Sequence, residues 1–157
     1  MMSGSKWKSL LISLAVSLGT GAAAGFVTAG SMEQYEMMYR PPLSPPGWVF
    51  PVVWGVLYLL MGIAAWLVFT SENPDRKHAL ALYAAQLAVN ALWPILYFRL
   101  DAPLAALAVL VLLWYLVYLT LKAFFRISTP AGMCMIPYLL WISFAFYLNL
   151  SVVLYLT

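Results

Sequence analysis

Aromatic and amide side chains recur at helical spacing along three apolar stretches of the sequence. Side chains three or four residues apart share a helix face, and the three series are Tyr83, Gln86, Asn90, Trp93 and Tyr97; Pro51, Trp54, Tyr58 and Met61 or Gly62; and Pro137, Trp141, Ala145 and Asn149, flanked by Phe144 and Leu148. A buried amide without a partner costs several kcal/mol, so these faces should turn inward. They predict one aromatic cavity shared by Trp54, Asn90 and Trp141, suited to a large flat apolar ligand.

Each series alone has a plainer interpretation. Polar and small side chains are the usual packing devices between membrane helices. Tryptophans near the ends of apolar stretches, such as Trp7, Trp48 and Trp114, are typical of the belt at the membrane interface. Three inward-facing series together favour a cavity over packing alone.

The same stretches lack the groups of hydrolytic, metal and proton-transfer sites. The sequence has one histidine, His78, and one cysteine, Cys134, so it predicts neither a metal cluster nor an internal disulfide. The apolar stretches contain no Asp or Glu, which argues against a proton-coupled transporter. The redox-capable side chains expected in the cavity are therefore aromatic.

The composition indicates the elements that hold these side chains. Of 157 residues, 65% are hydrophobic and 8% are charged, and the mean hydropathy is +0.92. Soluble domains carry about 25% charged residues, so a soluble enzyme, a nucleic-acid-binding module and a disordered chain are excluded. A bilayer core about 30 Å thick needs about 20 apolar residues per helix, and five stretches reach this length: 10–30, 48–70, 79–98, 104–125 and 133–156. We predict an all-α integral membrane protein, a single domain over 1–157 with five transmembrane helices.

Positive charge predicts the orientation of the bundle. With the N-terminus inside, the inner side carries Lys6, Lys8, Arg76, Lys77, Lys122 and Arg126, whereas the outer side carries Arg40 and Arg99. This excess favours an inside N-terminus. The basic start, apolar run and alanine triplet 22–24 also resemble a signal peptide, but the apolar character continues to Ala29, which favours a retained helix.

A proline-rich segment joins the first two stretches. Residues 31–51 include Pro41, Pro42, Pro45 and Pro46. Proline fixes φ and disfavours helical geometry in the residue before it, so residues 41–46 should be stiff and extended. The segment is interpreted either as a rigid connector or as a lid, residues 31–47, over the outer mouth of the bundle.

Three segments resemble the signature segments of the TspO/MBR family, the tryptophan-rich sensory proteins and translocator proteins. They are PPLSPPGWVFPVVWGVLYLLMGIAAW (41–66), AQLAVNALWPILYF (85–98) and PYLLWISFAFYLN (137–149). The resemblance implies a five-helix, often dimeric protein of the bacterial cell membrane. It further implies binding of porphyrins (protoporphyrin IX and haem) and of isoquinoline- or benzodiazepine-type drugs beneath the first loop, with no required cofactor.

The resemblance also implies roles for particular residues. Trp54 and Trp141 match the pair that flanks the family's ligand, and Asn90 and Trp93 match its polar and aromatic wall. The predicted ligand-binding set, completed by the lid and the inward-facing series, is Tyr35, Arg40, Pro42, Pro45, Trp54, Tyr58, Gln86, Asn90, Trp93, Trp141, Phe144, Ala145 and Leu148.

Three function classes stay open at this point. The first is a membrane receptor or sensor that binds tetrapyrroles, and the third is a tetrapyrrole transporter. The second is an enzyme that oxidatively degrades porphyrin in light, with Trp54 and Trp141 as its candidate catalytic residues, the redox partners of the excited ligand. The animal-type basic tail with its sterol motif is not matched, so sterol binding is less favoured. The pattern Gly21-x-x-x-Gly25 is typical of a homodimer seam or of packing within one subunit.

Overall fold

Five long helices form the bundle. A computed structural model describes residues 3–157 apart from the side chain of Met32, and Met1 and Met2 of the predicted domain lie outside it. The elements are α1 (Gly4–Val27), α2 (Met32–Met37), α3 (Val49–Phe69), α4 (Arg76–Pro94), α5 (Pro103–Ile127) and α6 (Thr129–Leu156), with a π-helical turn, Ile95–Arg99, extending α4. The five long helices, counting α4 with its π turn, are long and apolar enough to cross a membrane. The predicted all-α membrane bundle is confirmed.

Of the helices that begin before the apolar stretches that predicted them, α1 and α6 extend the furthest. α1 begins at Gly4 rather than at residue 10, because the Ser3 side chain accepts a hydrogen bond from the backbone N–H of Lys6. α6 begins at Thr129 rather than at residue 133, because Ser128 caps it in the same way and Pro130 lies in its first turn. Capping residues therefore extend these helices past the hydrophobic stretches.

The helices pack in the circular order α1, α3, α6, α5, α4. α5 packs closely on both α4 and α6, and α1 packs closely on α3 but only loosely on α4. The fully buried side chains at the centre include Met61, Phe124 and Ile142. α1 therefore lies at the edge of the bundle, with most of its surface toward the lipid.

The connector between α1 and α3 folds over one end of the bundle. Tyr35 of α2 is buried, and its hydroxyl donates to the carbonyl of Pro45 at 2.9 Å. Tyr147 of α6 donates to the carbonyl of Pro42 at 2.8 Å. Tyr39 stacks on Tyr155 with ring centroids 3.9 Å apart. We call residues 31–48 the lid, because the contacts of Tyr147 and Tyr155 hold them against α6, while the Tyr35–Pro45 bond braces the segment internally.

The prediction that residues 41–46 are extended is wrong at Leu43, where the chain turns. The backbone N–H of Ser44 donates to the carbonyl of Pro41 at 3.2 Å, and Leu43 has φ +72°. This is the geometry of a type II turn, in which the fixed φ of proline suits the second position. The third position usually holds glycine, so the leucine hid the turn from sequence reasoning.

The π-helical turn reshapes the lid end of α4. Pro94 has no backbone N–H to donate, and the N–H of Leu100 reaches back five residues to the carbonyl of Ile95 at 2.9 Å. Tyr97 and Phe98 follow Pro94 within this turn, and both are buried. The turn therefore supplies two adjacent aromatic rings to the space beneath the lid.

Candidate functional site

A polar network crosses the centre of the bundle. The hydroxyl of Tyr58 donates to Oδ1 of Asn90, and Nδ2 of Asn90 donates to the hydroxyl of Tyr138 at 2.5 Å. Tyr138 in turn donates to Oε1 of Gln86 at 2.7 Å. All four side chains are buried. The amides are therefore satisfied by tyrosines from α3 and α6, and the predicted inward face of α4 is confirmed by its burial.

A second polar pair lies nearer the lid. Nε1 of Trp93 donates to Oδ1 of Asn149 at 3.1 Å, and Nδ2 of Asn149 donates to the carbonyl of Pro103 at 2.9 Å. Trp93 also stacks on Tyr97, with centroids 5.2 Å apart. This pair joins α4, α5 and α6 beneath the lid.

The chamber directly under the lid is closed. It is lined by Tyr35, Tyr39, Arg40, Pro41, Ser44, Phe50, Trp93, Tyr97, Ala145, Leu148 and Asn149, and its volume is about 10 Å³. That is room for about one water molecule. Burial raises the pKa of the Tyr35 phenol, and the nearby positive charge of Arg40 partly opposes this rise. The lid chamber therefore contains five of the predicted site residues but takes no larger ligand in this conformation.

The side cavity is much larger and lies between α1, α3 and α4. Its volume is about 370 Å³, and its walls are Leu18, Gly21, Ala22, Ala24, Gly25, Thr28 and Ala29 of α1, Phe50, Pro51, Trp54, Gly55 and Tyr58 of α3, and Asn90, Pro94 and Phe98. The polar side chains of the lining are Thr28 and the hydrogen-bonded pair Tyr58 and Asn90, and the other walls are mostly apolar. The volume falls in the range of about 300–1,000 Å³ that is typical of small-molecule sites.

The prediction that Trp54, Asn90 and Trp141 share one cavity is wrong. Trp54 and Asn90 line the side cavity, whereas Trp141 lines an open groove of about 480 Å³ between α3 and α6. That groove is lined by Val52, Val53, Val56, Leu57, Pro137, Leu140, Trp141 and Phe144. Trp141 packs against Phe50, with centroids 6.0 Å apart, and its indole Nε1 is buried without a hydrogen-bond partner. The two tryptophans lie in different seams because α3 stands between α1 and α6.

Small residues bring α1 against α3 next to the side cavity. The hydroxyl of Ser17 donates to the carbonyl of Tyr58 at 2.5 Å, and that of Ser13 donates to the carbonyl of Gly62 at 2.7 Å. A Cβ at Gly21 would overlap the ring of Tyr58. Gly21 therefore packs against a helix of its own subunit, rather than serving as a seam between subunits. The homodimer stays a prediction.

The remaining predicted residues have other roles. Pro42 and Pro45 supply the carbonyl groups that hold the lid, and Gln86 lies at the deep end of the polar network. Phe144 packs beside Trp141 in the groove, with centroids 5.5 Å apart.

Sequence reasoning missed several residues of the site. On α6 the buried residues include Tyr138 and Ile142 in place of the predicted Pro137 and Trp141, together with the predicted Ala145 and Asn149. Tyr138 fits the three-to-four-residue spacing as well as Pro137 does, so the periodicity was compatible with either residue. The prediction chose Pro137. Ser17, which is fully buried on α1, had no such signal because most of that helix faces lipid.

The His, Cys, Asp and Glu side chains of the described residues are not arranged to bind a metal ion. Within residues 3–157, no three His, Cys, Asp or Glu side chains are close enough together to hold an ion. Haem iron bound in the side cavity would meet neither imidazole nor thiolate there, because its walls contain no His and no Cys.

The fold and site together define a class of protein: a five-helix integral membrane protein with an aromatic, amide-lined interior beneath a proline-rich lid. A sequence model of the TspO/MBR family matches residues 11–155. The chain therefore belongs to the TspO/MBR family of membrane sensory and translocator proteins, as its three motif segments indicated.

Relatives of this chain include bacterial and animal proteins. The chain is 36% identical over 149 residues to the tryptophan-rich protein TspO of Chlorobaculum tepidum, an alignment that covers 90% of this chain and 94% of that protein. It is 44% identical over 117 residues to the tryptophan-rich sensory protein of Cereibacter sphaeroides, covering 74% and 73% of the two chains. It is 34% identical over 142 residues to the translocator protein of Homo sapiens, covering 88% and 84%.

Proposed function

We propose that this protein is a membrane receptor that binds a flat, mostly apolar ligand of the porphyrin or isoquinoline class in the side cavity. The observation that carries the proposal is the wall of that cavity, where the Trp54 indole and the Tyr58–Asn90 pair lie together. An indole offers a broad apolar face for stacking. The amide and phenol supply the few polar groups that fix a ligand's orientation.

The size of the cavity bears on the ligand. At about 370 Å³ it is near the lower end of the usual range for small-molecule sites. An isoquinoline-type drug fits this volume more readily than a porphyrin does. A porphyrin would extend past the rim of the cavity or would require the lid chamber to open.

Equilibrium titration tests the proposal. Protoporphyrin IX is added to the purified protein in detergent, and tryptophan fluorescence and porphyrin absorbance are followed. Trp54→Ala should weaken binding about tenfold, which corresponds to about 1.4 kcal/mol. The control Trp7→Ala, at an exposed tryptophan near the start of α1, should change the Kd less than twofold.

The same titration distinguishes the side cavity from the groove. Trp141→Ala should leave the Kd within about threefold, because Trp141 does not line the side cavity. A larger loss with Trp141→Ala than with Trp54→Ala would place the ligand elsewhere and would contradict the proposal. Absence of binding to the wild-type protein would reject the function altogether.

Light-dependent porphyrin breakdown is a second candidate, supported by the position of Trp54 in the cavity wall. The excited porphyrin would take one electron from the indole and pass it to dioxygen, which gives superoxide and an indole radical cation. The indole radical cation would then recover its electron from the porphyrin, and superoxide would combine with the resulting porphyrin radical cation at a ring carbon, so that the indole is restored and both oxygen atoms enter the opened macrocycle. Trp54→Phe should keep most of the stacking area and lose most of the photoproduct, whereas Trp141→Phe should keep both. Equal product yield in Trp54→Phe and wild-type protein would show that the indole lines the cavity but takes no part in the photochemistry.

A further inference from the structure

The side cavity has an open side that faces the lipid. Along its rim Leu18 is 39% exposed, and Ala22, Gly25, Pro51 and Gly55 are exposed as well. A Cβ added at Gly25 or at Gly55 would meet no atom within 4 Å. The rim residues belong to α1 and α3, so the opening is the gap between these two helices.

This gap lies within the hydrocarbon depth of the bilayer. Gly55 is four residues from the midpoint of α3, or about 6 Å at a rise of 1.5 Å per residue. Gly25 is eight residues beyond Ser17, whose hydroxyl is bonded to Tyr58 near that midpoint, and so lies about 12 Å from it. Both distances are smaller than about 15 Å, half of the hydrocarbon thickness.

The contacts of α1 explain why the gap is there. Ser13 and Ser17 bond α1 to the carbonyls of Gly62 and Tyr58, and Trp66 donates to the hydroxyl of Ser9 at 3.1 Å. All of these bonds lie between the middle of the bundle and the end away from the lid. Between Tyr58 and the lid, α1 and α3 are separated by the cavity.

The lid side gives no comparable opening. The lid chamber has a volume of about 10 Å³. Two contacts hold the lid against α6: the hydrogen bond from the Tyr147 hydroxyl to the Pro42 carbonyl and the stacking of Tyr39 on Tyr155. A molecule arriving from water through the lid would have to break these contacts.

We propose that the ligand reaches the side cavity from the bilayer, through the gap between α1 and α3, while the lid stays closed. The inference rests on the proposed function. It restricts the ligands of this site to molecules that dissolve in the hydrocarbon region, and it assigns Gly25 and Gly55 to the portal.

Association kinetics in proteoliposomes test the portal. Gly25→Leu and Gly55→Leu fill the gap, and Gly19→Leu is the matched control, because Gly19 is also exposed on α1 with open space around it but does not line the cavity. Protoporphyrin IX is delivered from donor vesicles, and quenching of tryptophan fluorescence is followed by stopped flow. Tyr147→Phe loosens the lid as a second comparison.

The portal predicts that both rim variants slow association about tenfold and slow dissociation as well, because the same gap serves entry and exit. Gly19→Leu and Tyr147→Phe should keep wild-type rates. Wild-type rates in both rim variants, or faster association in Tyr147→Phe, would overturn the portal. Faster dissociation with a weaker Kd in the rim variants would also overturn it, since lost cavity volume would then explain their effect. Absence of equilibrium binding to the wild-type protein would instead reject the proposed function.

Discussion

The hydrogen bond between Tyr58 and Asn90 should couple the stability of α3 to that of α4. The Tyr58 hydroxyl donates only to Oδ1 of Asn90, and both side chains are buried. Asn90→Ala removes this acceptor and the donor to Tyr138, whereas Tyr58→Phe removes a single hydroxyl and leaves the bond from Asn90 to Tyr138. A double-mutant cycle of the two substitutions therefore isolates the Tyr58–Asn90 bond.

The expected coupling energy follows from the setting of the bond. Hydrogen bonds between membrane helices average about 0.6 kcal/mol and reach about 1.7 kcal/mol. This bond is buried on both sides, so we expect about 1–1.7 kcal/mol. Asn90→Ala alone should cost more, about 2–4 kcal/mol, because it leaves a buried hydroxyl without a partner and deletes buried side-chain atoms.

Unfolding of the purified protein in mixed micelles, titrated with denaturing detergent, measures these energies. The control cycle pairs Tyr58→Phe with Asn149→Ala, which belongs to the separate Trp93 pair, and it should be additive within about 0.5 kcal/mol. A Tyr58–Asn90 coupling no larger than that of the control would refute the idea that this bond joins the two helices.

Three further predictions concern close packing, the lid turn and pH. Gly21→Ala should destabilise the protein by about 1–3 kcal/mol in the same unfolding assay, because its Cβ would overlap the Tyr58 ring. Gly25→Ala is the control and should not destabilise the protein, because a Cβ there meets open space. Equal effects of the two substitutions would contradict this packing. Leu43→Gly should slow proteolysis of the lid, because it relieves the strain of φ +72°, and an unchanged or faster rate would show that the turn is not strained. Burial raises the pKa of Tyr35 in the folded protein, so its contribution to lid stability is present below the unfolded pKa of about 10 and is lost as the pH rises through the folded pKa. Hydrogen exchange of the lid should therefore show a loss of protection at alkaline pH, and Tyr35→Phe should reduce that loss. An identical pH profile in Tyr35→Phe would contradict the assignment.

The membrane bundle was predictable because lipid imposes simple rules. A helix crossing the bilayer needs about 20 apolar residues, and the sequence contains five such stretches with charged or proline-containing breaks. The ends were less predictable, because Ser3 and Ser128 extend α1 and α6 through caps that depend on a single side chain each. The type II turn at Leu43 was hidden because leucine rarely adopts positive φ.

The site was predictable along one helix and not between helices. The face of α4 with Gln86, Asn90 and Trp93 is buried as its periodicity requires. Periodicity carries no information on which helices are neighbours, however, and the order α1, α3, α6 places Trp54 and Trp141 in different seams. The contribution of α1 was also hidden, since the cavity is lined there by small residues such as Gly21 and Gly25.

The central claim is that a flat apolar ligand binds in the side cavity, against Trp54 and the Tyr58–Asn90 pair. The most direct measurement is an experimental structure of the protein with protoporphyrin IX bound in lipid. The account predicts the macrocycle between α1 and α3, with its face on the Trp54 indole and a polar group within hydrogen-bond distance of Asn90 or Tyr58. A macrocycle in the groove beside Trp141, or one confined to the lid chamber among Tyr35, Trp93 and Asn149, would contradict it.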